Sequence, residues 1–111
     1  MTLTLLSVTY RLRAPAQDFR VHAETAAHTI ARAPGLAWKI WGLDPETGLG
    51  TSIYLFRDAA AARAFAAGPA ISELRNGPAE DVTTRIAPVD VALSIITGAS
   101  GALALSEPAG E

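Results

Sequence analysis

The first stretch of the chain alternates. Across Thr2–Leu12, the residues Thr4, Leu6, Val8, Tyr10 and Leu12 fall on one face and Leu3, Leu5, Ser7, Thr9 and Arg11 on the other, and a period of two marks a strand. Both faces stay largely apolar until the strand's end, which predicts cover on both sides. From Pro15 to about Ala33 the period lengthens to that of a helix. Measured from Phe19, the residues Ala23, Ala26 and Ile30 fall within about 40° at roughly 100° per residue, a narrow stripe whose small alanines permit close approach to a sheet. Pro15 opens this helix, where its missing N–H costs nothing, and Pro34-Gly35 ends it.

Alternation resumes over Gly35–Leu43, with Leu36, Trp38 and Ile40 against Ala37, Lys39 and Trp41. It returns over Gly50–Arg57, where Ile53 and Leu55 oppose Ser52, Tyr54 and Phe56. Between them, Asp44-Pro45-Glu46-Thr47-Gly48 predicts a tight turn and an antiparallel hairpin, because Pro presets φ and Gly permits positive φ. Asp58 is placed to cap a helix over Ala59–Ala67, which Gly68-Pro69 stops. A second short helical piece follows over about Ala70–Arg75. Val82–Ala87 is the fourth strand, with Val82, Thr84 and Ile86 against Thr83 and Arg85. The order β-α-β-β-α-β predicts an α+β protein of ferredoxin-like βαββαβ topology.

Helices cover one face of such a sheet. The other is expected to carry Leu3, Leu5, Trp41, Tyr54 and Phe56, an apolar area larger than soluble monomers leave open. Pairing two sheets as a dimeric α/β barrel would bury it, so a homodimer is expected. Residues 1–96 form this single domain. Its extended apolar arm, 89–96, suits an exchange onto the partner, and 97–111 read as a flexible tail.

Composition narrows the chemistry. The 111 residues include no cysteine and two histidines, His22 and His28, which removes thiolate catalysis and cysteine- or all-histidine metal cages. No metal and no other cofactor is therefore expected. A net charge of −2, evenly scattered, gives nucleic acid no electrostatic footprint. No apolar run is long enough to span a membrane, and the first segment lacks a signal peptide's basic region and cleavage site, so a cytoplasmic location is expected. Neither a phosphate-cradling glycine loop nor an HExxH motif occurs.

The stretch Ala33-Pro34-Gly35-Leu36-Ala37-Trp38-Lys39-Ile40-Trp41, with Asp44-Pro45-Glu46-Thr47-Gly48 and Ile53-Tyr54-Leu55-Phe56 after it, resembles the YdhR family of mono-oxygenases. Trp-Lys-Ile-Trp and Ile-Tyr-Leu-Phe stand at the family's separation, and weaker similarity runs over about Leu5–Ser94, including Arg85 and Leu93-Ser94. The resemblance implies a dimeric α+β barrel and oxygenation of a small organic substrate without metal or flavin. Two segments depart from the family pattern. Thr51-Ser52 replaces a double glycine, and Pro69-Ala70-Ile71-Ser72 stands where the family has His-Thr-Ala-Arg.

Oxygenation without a cofactor requires an electron-rich substrate, such as a phenol or 1,3-dicarbonyl, that loses a proton so that its anion can reduce oxygen. The site must supply a dry pocket, a base of near-neutral pKa and a donor or cation for the developing charge. The expected pocket lies between sheet and helices, lined by Trp38, Phe19, Ile40, Ile53 and Leu55, with His22 and Tyr10 as the groups that move or share a proton. An alternative site in the barrel interior would use Lys39, Trp41, Tyr54 and Arg85. The function expected is thus a mono-oxygenase acting on a small aromatic or polyketide-like substrate. The alternatives are cyclase, isomerase or lyase chemistry on the same scaffold, or a non-catalytic module that binds small ligands.

Overall fold

The computed structural model describes residues 2–104. Strand β1 (Thr4–Leu12) leads into helix α1 (Ala16–Ile30), then the hairpin of β2 (Leu36–Leu43) and β3 (Leu49–Phe56). Helices α2 (Ala59–Ala66) and α3 (Pro69–Asn76) precede β4 (Ala79–Pro88), and two short helices, α4 (Val91–Ile96) and α5 (Ser100–Leu103), follow it. The four strands form one antiparallel sheet in the order β2-β3-β1-β4. This is the expected ferredoxin-like α+β arrangement.

Local chemistry accounts for most boundaries. Pro15 sits just ahead of the first helical residue of α1. The Asp58 carboxylate accepts from the Ala61 N–H at 2.8 Å and caps α2, and Pro69 takes the first turn of α3. In the hairpin, Asp44 Oδ1 accepts from the Glu46 N–H at 2.9 Å, and Gly48 supplies the positive φ of 75°. Gly35 likewise has φ 77°, and a Cβ there would lie 2.6 Å from Ala61 Cβ, so glycine lets the β2 entry pass close to α2.

One face of the sheet packs on the helices. Leu6, Val8, Tyr10 and Leu12 of β1 join Tyr54 and Phe56 of β3, with Ala62 of α2, Ile71 of α3 and Ile30 of α1. Ile30 is the one residue of α1 that is buried. Phe19 near one end and Ile30 at the other are its large apolar contacts with the core, with alanines between them. The eleven steps from one to the other span about 16 Å of helix, so α1 is propped at its ends and leaves space beneath its middle.

Two bulges set which side chains look which way. In β2, Leu36 pairs with Phe56 but Trp38 pairs with Leu55, so the strand carries one extra residue there. Leu36 and Lys39 consequently share the helix face, while Trp38 turns to the other. In β4 the register slips opposite Thr9–Arg11, where Asp81 adopts φ 53° and pairs with Arg11 at 3.8 Å.

The far face departs from expectation. Tyr54 and Phe56 belong to the helix side, because Leu6 pairs with Tyr54 and Thr4 with Phe56. Trp41 joins them through its pairing with Ser52, which itself lies beside Val8. The far face carries Leu5 as expected, with Trp38, Ile40, Ile53 and Leu55 in place of Trp41, Tyr54 and Phe56. The arm 89–96 is not extended either. Asp90 accepts from the Leu93 N–H at 3.0 Å and nucleates α4 over Val91–Ile96. The chain then turns back over its own sheet, where the Trp38 indole N–H donates to the Ala102 carbonyl at 2.6 Å. Of the tail expected to be flexible, Ser100–Leu103 is helical and residues 105–111 lie outside the described residues.

Candidate active site

The space beneath α1 is a cavity of about 480 Å³. Its floor is the helix face of the sheet: Val8 and Tyr10 from β1, Lys39 and Trp41 from β2, Ser52 and Tyr54 from β3. Its roof is the inner side of α1, with Phe19, His22, Ala23 and Ala26, and α3 closes one end with Ile71, Glu73 and Leu74. Ala23 and Ala26, with side chains of a single methyl group, face aromatic side chains across the cavity and leave room between them. An apolar concavity with a few polar tips is the usual form of a small-ligand site.

The aromatic groups are linked. Tyr10 and Phe19 lie with ring centroids 5.9 Å apart at 50°, and Tyr54 meets Phe65 of α2 at 5.0 Å and 49°, both tilted arrangements favoured by ring quadrupoles. Gly50, opposite Tyr10 in the register, has no side chain because the Tyr10 ring occupies that position.

Lys39 is the unusual member. It is the only lysine among nine basic residues, the other eight being arginine. Its Nζ lies 3.2 Å from the Trp41 ring centroid and 4.6 Å from that of Tyr54, and it forms no ion pair among the described residues. Burial without a counter-ion pushes the amine down to about 7. The two ring faces oppose this by attracting the cation, an effect of about 0.5–2 kcal/mol, smaller than the lost hydration. Lys39 therefore exchanges its proton near neutral pH. Burial raises the Tyr10 hydroxyl, with a Ser52 hydrogen bond acting against it. Burial also raises Tyr54, helped by the charge Tyr10 would carry. Both phenols thus stay protonated, and both line the cavity that holds the amine.

Of the residues expected in a pocket between sheet and helices, Tyr10, His22 and Phe19 line this cavity. Trp38, Ile40, Ile53 and Leu55 do not; they occupy the opposite face of the sheet. Of the alternative set, Lys39, Trp41 and Tyr54 are in this cavity and not in a barrel interior, whereas Arg85 pairs with Ser7 on the far face. Alternation correctly grouped Trp38 with Ile40, Ile53 and Leu55. It could not say which of two apolar faces the helices cover, and it joined Tyr10 to the wrong group. The identity of Lys39 as sole lysine, within an apolar strand, was the available signal. His28 lies exposed, away from the cavity. No cluster of His, Asp or Glu among the described residues could hold a metal ion, and no helix among them is long and apolar enough to cross a membrane.

Fold and cavity together define a ferredoxin-like α+β protein with a small-molecule-sized space between its sheet and helices. The sequence profile of the family described as "Putative mono-oxygenase ydhR" matches residues 5–100. The chain belongs to the YdhR mono-oxygenase family. Among solved structures it is similar to SnoaB, a cofactor-independent oxygenase from Streptomyces nogalater, with TM-score 0.64 and 15% identity over 80% of this chain and 94% of that one. A single-residue variant of SnoaB aligns equally, covering 81% and 95%. Protein SO0527 from Shewanella oneidensis follows, with TM-score 0.61 and 13% identity over 79% of this chain and 91% of that one. These likenesses establish a shared fold. No curated protein matches the chain.

Proposed function

We propose that this protein is a cofactor-independent mono-oxygenase that binds a flat, electron-rich aromatic or polyketide-like compound in the cavity beneath α1. The observation that carries the reading is Lys39: an amine of near-neutral pKa, with no counter-ion among the described residues, projecting into an aromatic-lined cavity. Family membership supports the reaction type.

The cavity residues suit the chemistry. Neutral Lys39 takes the acidic proton of the substrate, and the ammonium it becomes sits beside the resulting phenolate or enolate. Tyr10 and Tyr54, held protonated, donate to developing negative charge, while Phe19 and Trp41 flank the ring system. His22, on the exposed edge of α1, is placed to pass protons to water. For a substrate with an activated methylene the balance closes without external reductant. The methylene and O2 give a carbonyl and water, with one oxygen atom entering each product and the substrate supplying all four electrons.

Oxygen uptake with a panel of polycyclic phenols and 1,3-dicarbonyls, in the presence of a chelator and without flavin, tests this. Uptake is expected, with one heavy atom per product when isotopically heavy O2 is supplied. Tight binding of the panel with no uptake and no change in the ligand would overturn the reading in favour of a ligand-binding module. Rearranged product without uptake would favour isomerase, cyclase or lyase chemistry.

The same reading includes a cytoplasmic homodimer. The far face of the sheet exposes Ile40, and α4 exposes Val91, Leu93, Ile95 and Ile96. Such an apolar patch is most readily covered by a second copy about a two-fold axis.

A further inference from the structure

The geometry points to a second reactivity of the same cavity: we propose that Lys39 captures the carbonyl carbon of an uncharged aryl aldehyde or ketone as a reversible imine. It shares with the oxygenase reading the cavity and the weakly basic Lys39 amine, and needs no oxygen.

Three observations carry it. Lys39 Nζ projects over the Trp41 and Tyr54 rings, inside a cavity of about 480 Å³ that admits a bicyclic compound. It forms no ion pair with a carboxylate among the described residues, so its lone pair is not committed to an acid. The other ionisable groups lining the cavity are Tyr10 and Tyr54 on the floor, His22 on α1 and Glu73 on α3, so the lining offers no second fixed cation to bind an anionic ligand. The preferred carbonyl compound is therefore uncharged, flat and apolar.

The step balances without a co-reactant. The amine nitrogen forms a bond to the carbonyl carbon and gives up two protons, and the carbonyl oxygen leaves with them as water. Protonated Tyr10 or Tyr54 can supply the proton that the departing oxygen needs. The depressed basicity of Lys39 keeps a large share of the amine nucleophilic at neutral pH.

Reductive trapping tests the proposal. The folded protein is incubated at pH 7 with 2-naphthaldehyde and cyanoborohydride, and the adduct is located by peptide mass mapping. A single naphthylmethyl group is expected on Lys39, formed on the order of a hundredfold faster than on the same lysine in urea, where the ordinary pKa of about 10.4 applies. Lys39→Arg, checked for folding by circular dichroism, should lose this adduct. Labelling confined to the terminal amine would overturn the proposal, as would equal rates in folded and unfolded chains. Because the readout is a mass adduct whose formation consumes no oxygen, absence of oxygenase turnover leaves this test intact, and failure of trapping leaves the uptake assay intact.

Discussion

Lys39→Met is expected to lower the proposed oxygenase turnover by about 10²–10⁴-fold, the usual contribution of a positioned general base. Wild-type turnover should rise with pH through about 7 as the amine loses its proton, and the variant should lack that limb. The same substitution moves stability the other way. The folded-state pKa of Lys39 lies below its unfolded value, so between pH 7 and about 10 the unfolded chain holds a proton that the folded chain does not. Wild-type stability therefore rises with pH across this window, and the cost of the buried charge is greatest below it. Lys39→Met removes that cost and stabilises the fold at pH 7 by roughly 2–4 kcal/mol, a tenfold change in a proton equilibrium being about 1.4 kcal/mol and the cation–ring attraction returning part of it. Urea titrations at pH 7 and pH 10 check the sign: the advantage of the variant should shrink at the higher pH. A residue that is costly to fold and necessary for turnover is what a functional amine predicts. A structural one would lose both together.

Aspartate at Leu93 and Ile96 together should dissociate the proposed dimer. In the single chain these side chains are 62% and 79% exposed, so the substitutions leave the fold intact. In a dimer that covers α4, they forfeit the burial of two large aliphatic groups, about 1.5–3 kcal/mol each, and add desolvation of two charges. The dimer dissociation constant should rise at least about a hundredfold, since 1.4 kcal/mol corresponds to tenfold. Sedimentation equilibrium reads this directly. Wild type that remains monomeric at micromolar concentration, or variant assembly indistinguishable from it, would contradict the dimer.

Much of this fold could be read from period alone. The four strands and the helix pair emerge from alternation, from Asp58 as a cap and from Asp44–Gly48 as a turn, because these are local effects. What period cannot encode is which of two apolar faces meets the helices. Leu55 illustrates the difficulty: it lies opposite the main helices yet is fully buried, on the face to which the C-terminal segment returns. With both faces of β3 apolar, Tyr54 and Leu55 were equal claimants to the core. The bulge at Ala37 added a second ambiguity by moving Leu36 out of phase with Trp38. Helix α4 was missed because its residues, Val91, Leu93, Ile95 and Ile96, have the β-branched and alternating character of a strand. The Asp90 cap decided otherwise. The cavity was more legible than its floor. The stripe Phe19, Ala23, Ala26 and Ile30 was legible as the side of α1 that faces the sheet, but its small alanines, which predicted close approach, leave space beneath the helix instead.

The most direct test of the account is the titration of Lys39. Because it is the only lysine, carbon-13 labelling at the lysine ε position gives one resonance in a proton–carbon correlation spectrum, free of assignment. The resonance is expected to titrate with a midpoint near 7 and to shift when 2-naphthol is added, because ligand and amine share one cavity. A midpoint near the ordinary lysine value of about 10.4, with no response to the phenol, would contradict a buried functional amine and with it the proposed site.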